Sequence, residues 1–295
     1  MKLTRFAALM MATLTAGATM SSCDKDDDED ISDSVVKAYS DNGLKSADAA
    51  SYSLASSKYF KDMFTDETGN AISISKLNAE AVSVSFTSKT WGEFSIDTVK
   101  ILSSDGAYAL SGNGTCKMAG MNGKVSEYAA SFSAKMSAGV LSDVAFSAPS
   151  VMGGTTVYYL TGEAPAGYVV AGSYGTYSKA NSKYFSDMLT EEKANCLSLK
   201  AVENGSKVSV SFSSEKWGTF SVEAATVSKE GDKYVIEGNG SCEMAGMSGQ
   251  VSTYEVSVKG TINGKSTVVD FSIPAVMGGT TVSVYNDSMP TTEAK

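Results

Sequence analysis

The sequence predicts an all-β protein of two tandem, antiparallel barrels with eight strands each. The first observation is a repeat: the block 112–128 returns as 238–254, with 12 of 17 positions identical at an offset of 126 residues. Solenoid units are only about 20–50 residues long, so this repeat indicates a duplicated domain. The second observation is alternation of apolar and polar residues along short segments between glycine-rich breaks, which is typical of half-buried antiparallel strands.

Residues 1–22 are predicted to be a lipoprotein signal peptide. Lys2 and Arg5 supply a positive start, and the apolar stretch 6–18 is too short to span a bilayer. The segment 20–23 then resembles a lipobox, in which Cys23 is acylated after cleavage; an ordinary signal peptide is the alternative. Each buried acyl methylene contributes about 0.8 kcal/mol, so we expect a membrane tether at Cys23 that does not cross the bilayer.

Residues 23–35 are predicted to be an acidic, flexible leash, because 24–30 contains six acids in seven residues and these repel one another. Such a run after a lipidated cysteine resembles the surface-export signal of Bacteroidota lipoproteins. We therefore expect an outer-membrane lipoprotein at the cell surface, with the periplasmic face as the alternative. The overall net charge of −9 argues against nucleic acid as a partner.

Matching the two copies places barrel 1 at residues 36–162, barrel 2 at 163–288 and a tail at 289–295. Trp91-Gly92 matches Trp217-Gly218, and the segment 151–157 recurs unchanged as 276–282. Closing each sheet would remove its exposed edges, which favours barrels over open sheets. The segment 57–64 places apolar residues at i,i+4 and predicts a short helix at one barrel end, with a bent strand as the alternative.

These features together resemble a known family. The tandem alternating strands, the turn 91–94, the late strand 151–157 and the lipoprotein leader are similar to the calycin-like, or lipocalin-like, lipoproteins of gut Bacteroidota. The resemblance implies eight-stranded barrels and a cell-envelope location, and it implies no particular activity. The Gly-x-Trp entry motif of lipocalins has no match, since the segments 43–45 and 175–177 lack the tryptophan.

The composition argues against an enzyme. The chain contains no histidine, which excludes Ser-His-Asp relays and imidazole metal ligands. A carboxylate pair could still hydrolyse glycosides, but of four candidates only Asp97 keeps an acid in the second copy, at Glu223, and its strand parity points it to water. We expect no catalytic residue and no cofactor. The four candidates are Glu93, Asp97, Glu127 and Asp143.

Sulfur-containing residues recur in both copies and could bind a soft metal or haem. Core packing is the favoured interpretation, because Cys116 and Met118 share one strand face and such side chains fill irregular gaps. Free buried thiols are expected, with Cys196–Cys242 or Cys116–Cys242 disulfides as alternatives. The candidate metal ligands are Cys116, Met118, Met121, Cys242, Met244 and Met247.

Recurring aromatic residues are candidates for ligand binding, by stacking on sugar rings or lining an apolar pocket. They are Trp91, Trp217, Tyr128 and Tyr254. An eight-stranded barrel is just wide enough to be filled by side chains or to hold one small ligand. The first hypothesis is therefore an envelope lipoprotein that binds a small apolar molecule or a glycan. The alternatives are an interaction module with filled barrels and a soft-metal or haem carrier.

Overall fold

The computed structural model describes residues 30–42, 50–104, 106–120, 123–246, 249–264 and 266–289. Within them, each repeat forms its own antiparallel sheet, which confirms the all-β class and the tandem organisation. The signal peptide, Cys23, Met121, Met247 and the tail from residue 290 lie outside the described residues. Among the described residues, no helix is both long and apolar enough to cross a membrane.

The first repeat consists of one helix followed by nine strands. The strands follow one another as a meander from β3 to β9, and β1 then pairs with β9 while β2 pairs with β1. The elements are α1 (Ile31–Asn42), β1 (Ser51–Ser56), β2 (Met63–Asp66), β3 (Ser73–Asn78), β4 (Ala81–Ser88), β5 (Gly92–Ser104), β6 (Ala107–Ala119), β7 (Val125–Ser137), β8 (Val140–Ala148) and β9 (Thr155–Thr161).

The second repeat has the same meander with one additional strand at its start, which pairs with the fourth strand of this repeat. Its elements are α2 (Ala166–Val169), β10 (Gly172–Tyr174), β11 (Tyr177–Ser182), β12 (Met188–Glu191), β13 (Leu197–Val202), a 3-10 turn (Glu203–Gly205), β14 (Lys207–Ser214), β15 (Gly218–Glu230), β16 (Lys233–Ala245), β17 (Val251–Asn263), β18 (Ser266–Ile273) and β19 (Thr280–Tyr285).

The strand count differs from the prediction of eight because part of the predicted helix 57–64 is a strand. Ser57 N–H donates to the Phe60 carbonyl, and Asp62 adopts a left-handed backbone with φ of 51°, so a helix cannot propagate. Met63 then begins β2, which adds a short edge strand beyond β1. The bent-strand alternative therefore describes this segment better than the helix.

Each sheet curls around one apolar core. In the first repeat, Phe86, Phe94 and Phe146 are buried and their ring centroids lie 5.0–6.4 Å apart. In the second, Phe212, Phe220 and Phe271 form the same cluster at 4.9–5.5 Å. The barrel interiors are therefore filled by stacked aromatic side chains, as a close-packed core requires.

Helix α1 corrects the predicted leash, because residues 31–35 are helical rather than extended. Val35 is completely buried in the first core, and Tyr39 donates its hydroxyl to the Ile72 carbonyl. Lys76 of the edge strand β3 pairs with Asp30 and Asp33. Asp30, the last acid of the run that was expected to repel, thus has a cation, and the apolar face of the helix covers the opening beside β3.

The second repeat covers the matching opening differently. Its leading segment forms only the four-residue α2 and the short β10, and Tyr168 and Val170 of this segment are buried. A Cβ on Gly167 would lie 2.5 Å from the Gly205 carbonyl oxygen, so only glycine allows α2 to approach this closely. Both repeats are thus plugged by their own leading segment.

Candidate functional site

A buried carboxylate joins the two edges of the first sheet. Glu67 is fully buried directly after β2, and Oε1 accepts hydrogen bonds from Ser53 on β1 (2.9 Å) and from Ser88 at the end of β4. Its Oε2 accepts from the Asn70 amide (3.1 Å) and from the Lys89 backbone N–H (3.2 Å). Four donors satisfy both oxygens, so neither oxygen of this buried carboxyl group is left without a hydrogen bond.

The same cluster recurs in the second repeat with fewer bonds. Glu192 Oε1 accepts from Ser178 (2.7 Å) and Ser214 (2.9 Å). Within the described residues no group donates to its Oε2, and Glu192 is only partly buried beside a surface cleft of about 530 Å³. The two clusters, Glu67 with its donors and Glu192 with its donors, are called the carboxylate clamps below.

Each clamp also fixes the turn that carries the tryptophan. Ser88 Oγ, besides donating to Glu67, accepts the Trp91 backbone N–H at 3.0 Å, and Ser214 does the same for Trp217 at 3.1 Å. Trp91 stacks on Phe60 with centroids 5.3 Å apart, so the 57–62 turn meets the turn before β5. The clamp therefore links the edges of the sheet to the turns at one end of the barrel.

The predicted aromatic ligand-binding residues lie mostly within this packing. Trp91 and Trp217 are buried, with their indole Nε1 atoms unpaired among the described residues, and Trp217 packs against Phe185. Tyr128 and Tyr254 are half-buried on β7 and β17. The two tryptophan rings are thus covered by protein, whereas Tyr128 and Tyr254 keep part of their surface accessible.

The predicted sulfur ligands are also placed in the core. Cys116 and Cys242 are fully buried, and Met118 and Met244 pack partly buried against the two cores. Burial raises the pKa of the Cys116 thiol to about 11, and burial also raises the pKa of Cys242. Both thiols are therefore protonated at neutral pH in the metal-free protein, so a soft metal would have to displace the thiol proton.

Within the described residues the three thiols are unpaired; Cys116 and Cys242 are buried, whereas Cys196 is only partly buried. The predicted carboxylate candidates face solvent and form no pair with one another. Asp97 and Glu223 are both exposed, and a β-bulge lies next to each. Glu93, Glu127 and Asp143 are exposed as well.

One end of each sheet is formed by four turns that the sequence repeats closely. In the first repeat these are 57–62, 89–91, the connection from β6 to β7 and 149–154, and in the second 183–187, 215–217, the connection from β16 to β17 and 274–279. Residues 121–122 and 247–248 of the two connections lie outside the described residues. The alternation of the antiparallel meander places all four at the same end. This end is called the turn rim, and the opposite end, which carries the plug, is called the base.

The turn rim exposes the same apolar side chains in both repeats. Tyr59 and Tyr184 are 73% and 72% exposed, Met152 and Met277 are both 51%, and Val125 and Val251 are both 60%. These three pairs are the only large apolar residues of the described chain that are exposed at matching positions in both copies. A core explains repeated buried residues, but it does not explain repeated exposed ones.

The base shows no such agreement. Leu102 is 67% exposed and Val140 is 53% exposed, but the second repeat has Ser228 and Ser266 at the matching positions. Tyr158 on β9 is exposed, whereas its match, Ser283, is buried. Exposed apolar residues have therefore diverged elsewhere on the barrel and agree at the turn rim.

The backbone at the turn rim adds a second observation. Met152 and Met277 adopt left-handed conformations with φ of 47° and 48°, a region that favours glycine. A Cβ on the neighbouring Gly153 would lie 3.5 Å from the Tyr59 ring, so the two turns touch. An exposed methionine that is repeated at a strained position indicates that its side chain has a role there.

Sequence reasoning missed both the clamps and the exposed side chains of the rim. The signal was present, because Ser53, Glu67 and Ser88 match Ser178, Glu192 and Ser214 at offsets of 125 or 126. Exposure at positions 59, 125 and 152 could not be read from periodicity, since these residues lie in turns or at a strand end.

Comparison with known proteins identifies the fold. Residues 170–286, the second barrel, match the model of the calycin-like β-barrel domain family. No curated protein matches the sequence.

Two solved structures are similar to this chain. A candidate outer membrane protein from Bacteroides fragilis NCTC 9343 is 19% identical, with a TM-score of 0.60 over 81% of this chain and 96% of its own. This likeness shows a shared fold across both repeats. Isotype 1 transferrin binding protein B from serogroup B Neisseria meningitidis is 10% identical, with a TM-score of 0.27 over 74% of this chain and 51% of its own, which is too distant to support an argument.

Proposed function

We propose that this chain is a non-enzymatic binding protein of the cell envelope and that its partner binds outside the two barrels. The second barrel belongs to the calycin-like β-barrel domain family. The filled interiors carry this proposal. The ring clusters around Phe146 and Phe271 occupy the space in which a hollow calycin barrel would hold a ligand. Of the functional hypotheses from the sequence, the interaction module thus fits better than internal carriage.

The envelope location is supported by the leader and by the relative. Cys23 is the proposed lipid anchor, the membrane is the proposed partner of that anchor, and the Bacteroides fragilis protein is itself named for the outer membrane. We place the chain at the cell surface, with the periplasmic face as the alternative. Cys23→Ala should release the protein from the membrane fraction. Deleting residues 26–30 should keep it membrane-bound but protect it from protease added to intact cells.

A hollow barrel and a filled barrel respond differently to a small apolar probe. Benzene enters engineered apolar cavities. Because a filled barrel offers it no cavity, benzene should leave the melting temperature of the soluble protein, made without Cys23, unchanged. Phe146→Ala opens a cavity and should gain a saturable stabilisation by benzene, which makes it the positive control. Native mass spectrometry should show the unaltered chain without added mass. Stabilisation of the unaltered protein, or a stoichiometric co-purified molecule, would overturn the proposal.

A further inference from the structure

We infer that each turn rim is a docking surface for a protein partner, centred on Tyr59, Val125 and Met152 in the first repeat and on their matches in the second. This inference rests on the proposed function and names the surface that performs it. The matched exposures of the three pairs carry it, because no packing requirement keeps exposed apolar residues alike in two diverged copies. Exposed aromatic and methionine side chains are enriched at protein interfaces.

The left-handed methionines identify the centre of the surface. Glycine at Met152 and Met277 would relieve the backbone, yet both copies keep a flexible, apolar side chain that is half exposed. The exposed tyrosine ring could also stack on a sugar, but the methionine at the centre of the surface offers no flat face and adapts to an irregular apolar partner. This favours protein over glycan.

The charge beside the rim indicates what the partner carries. Lys58 and Lys183 recur next to the exposed tyrosines, and each Nζ lies 5.9 Å from the centroid of the adjacent tyrosine ring. Neither lysine is in an ion pair within the described residues. A lysine that forms no ion pair with a carboxylate in a net acidic chain is suited to bind a carboxylate on the partner. The expected partner surface is therefore an apolar patch next to an acidic residue, and each chain offers two such sites.

Site-specific photo-crosslinking in the producing cells tests this in the full, anchored chain. The photoreactive p-benzoylphenylalanine replaces Tyr59 or Tyr184 at the turn rims, or Leu102 at the base as the matched control. We expect a protease-sensitive adduct of the same added mass from both rim positions and none from Leu102. Met152→Gly and Met277→Gly in the same chain should abolish the adduct at their own rims, while the melting temperature stays the same or rises.

Each result decides between the alternatives. If the photoreactive residue at either rim forms no adduct, the inference is overturned. An adduct that persists after Met152→Gly and Met277→Gly overturns it as well. If glycosidase or lipid extraction removes the adduct, the partner is a glycan or a membrane rather than a protein. That result also overturns the inference. Adducts only from Leu102 would contradict the rim while leaving the proposed binding function intact. Lys58→Glu should weaken the Tyr59 adduct at least fivefold if the partner carries a carboxylate there.

Discussion

The two repeats share a turn rim and differ at the base. At the rim they keep the same clamp, the same buried tryptophan and the same exposed tyrosine and methionine. At the base, the first repeat is plugged by a 12-residue helix and the second by a four-residue helix with an extra strand. Plugging an opening requires only apolar volume, which many sequences can supply, whereas the rim requires particular side chains.

The clamps show the same contrast in a finer detail. Both carboxylates hold two serines, but Glu67 has four donors and is fully buried, while Glu192 has two donors within the described residues and lies beside an open cleft. The shared serine contacts position the tryptophan turn, and the additional donors seal only the first barrel. The difference predicts that the first barrel depends more strongly on its carboxylate.

The largest expected effect tests the cores. Phe86→Ala and Phe212→Ala should each lower the free energy of unfolding by about 3–5 kcal/mol, since each leaves a cavity. The loss of unfolding free energy should be larger for Phe86→Ala, because Phe86 also contacts Tyr159, whose match in the second repeat is Val284. Urea unfolding followed by the fluorescence of Trp91, in Trp217→Phe chains, isolates the first barrel, and the reverse substitution isolates the second. Equal losses would contradict the role of the extra ring.

The second-largest expected effect tests the carboxylate clamps. Glu67→Gln should lower the free energy of unfolding of the first barrel by about 2–4 kcal/mol, because an amide NH₂ group would face groups that are themselves donors. Glu192→Gln should cost the second barrel only about 1 kcal/mol, since it is partly exposed and holds two donors. The same single-tryptophan fluorescence measures both. A larger loss at Glu192 would reverse the comparison.

The plugs should be equivalent despite their different structures. Val35→Ala in α1 and Val170→Ala after α2 each remove a side chain that is at most 1% exposed, and each should cost about 1–3 kcal/mol. The control is Val36→Ala in the same helix, a partly buried position that should cost less. If Val35→Ala has no effect on the unfolding of the first barrel, then α1 is not part of its core.

The smallest expected effect is a loss of folding stability at alkaline pH. Burial raises the folded-state pKa values of Cys116 and Cys196 to about 11, above the usual thiol value, so each stabilising contribution is complete below about pH 9 and disappears as the pH rises through 11. The second barrel has two such thiols and the first has one. Cys196→Ala should therefore reduce the loss of stability of the second barrel between pH 9 and 11, as urea midpoints at both pH values would show.

The sequence predicted the duplicated all-β fold because strand alternation is local and the repeat is direct. It missed α1, although Ile31, Val35 and Tyr39 have helical spacing, because the preceding acids suggested repulsion. Lys76, which pairs with Asp30 and Asp33, is distant in sequence. The clamps could not be predicted for a similar reason. Ser53, Glu67 and Ser88 meet only because the sheet curls, and curvature depends on packing across the whole barrel.

The contacts of α1 at the base also bear on how the first barrel would carry a mechanical load. Ser32 N–H donates to the Ala79 carbonyl in the turn between β3 and β4, so the start of α1 is fixed at the base. If the proposed anchor at Cys23 holds the chain, tension would reach the barrel at the start of α1, whose Asp30 and Asp33 pair with Lys76 of the edge strand β3. A partner pulling at the turn rim would therefore stretch the first barrel between its two ends.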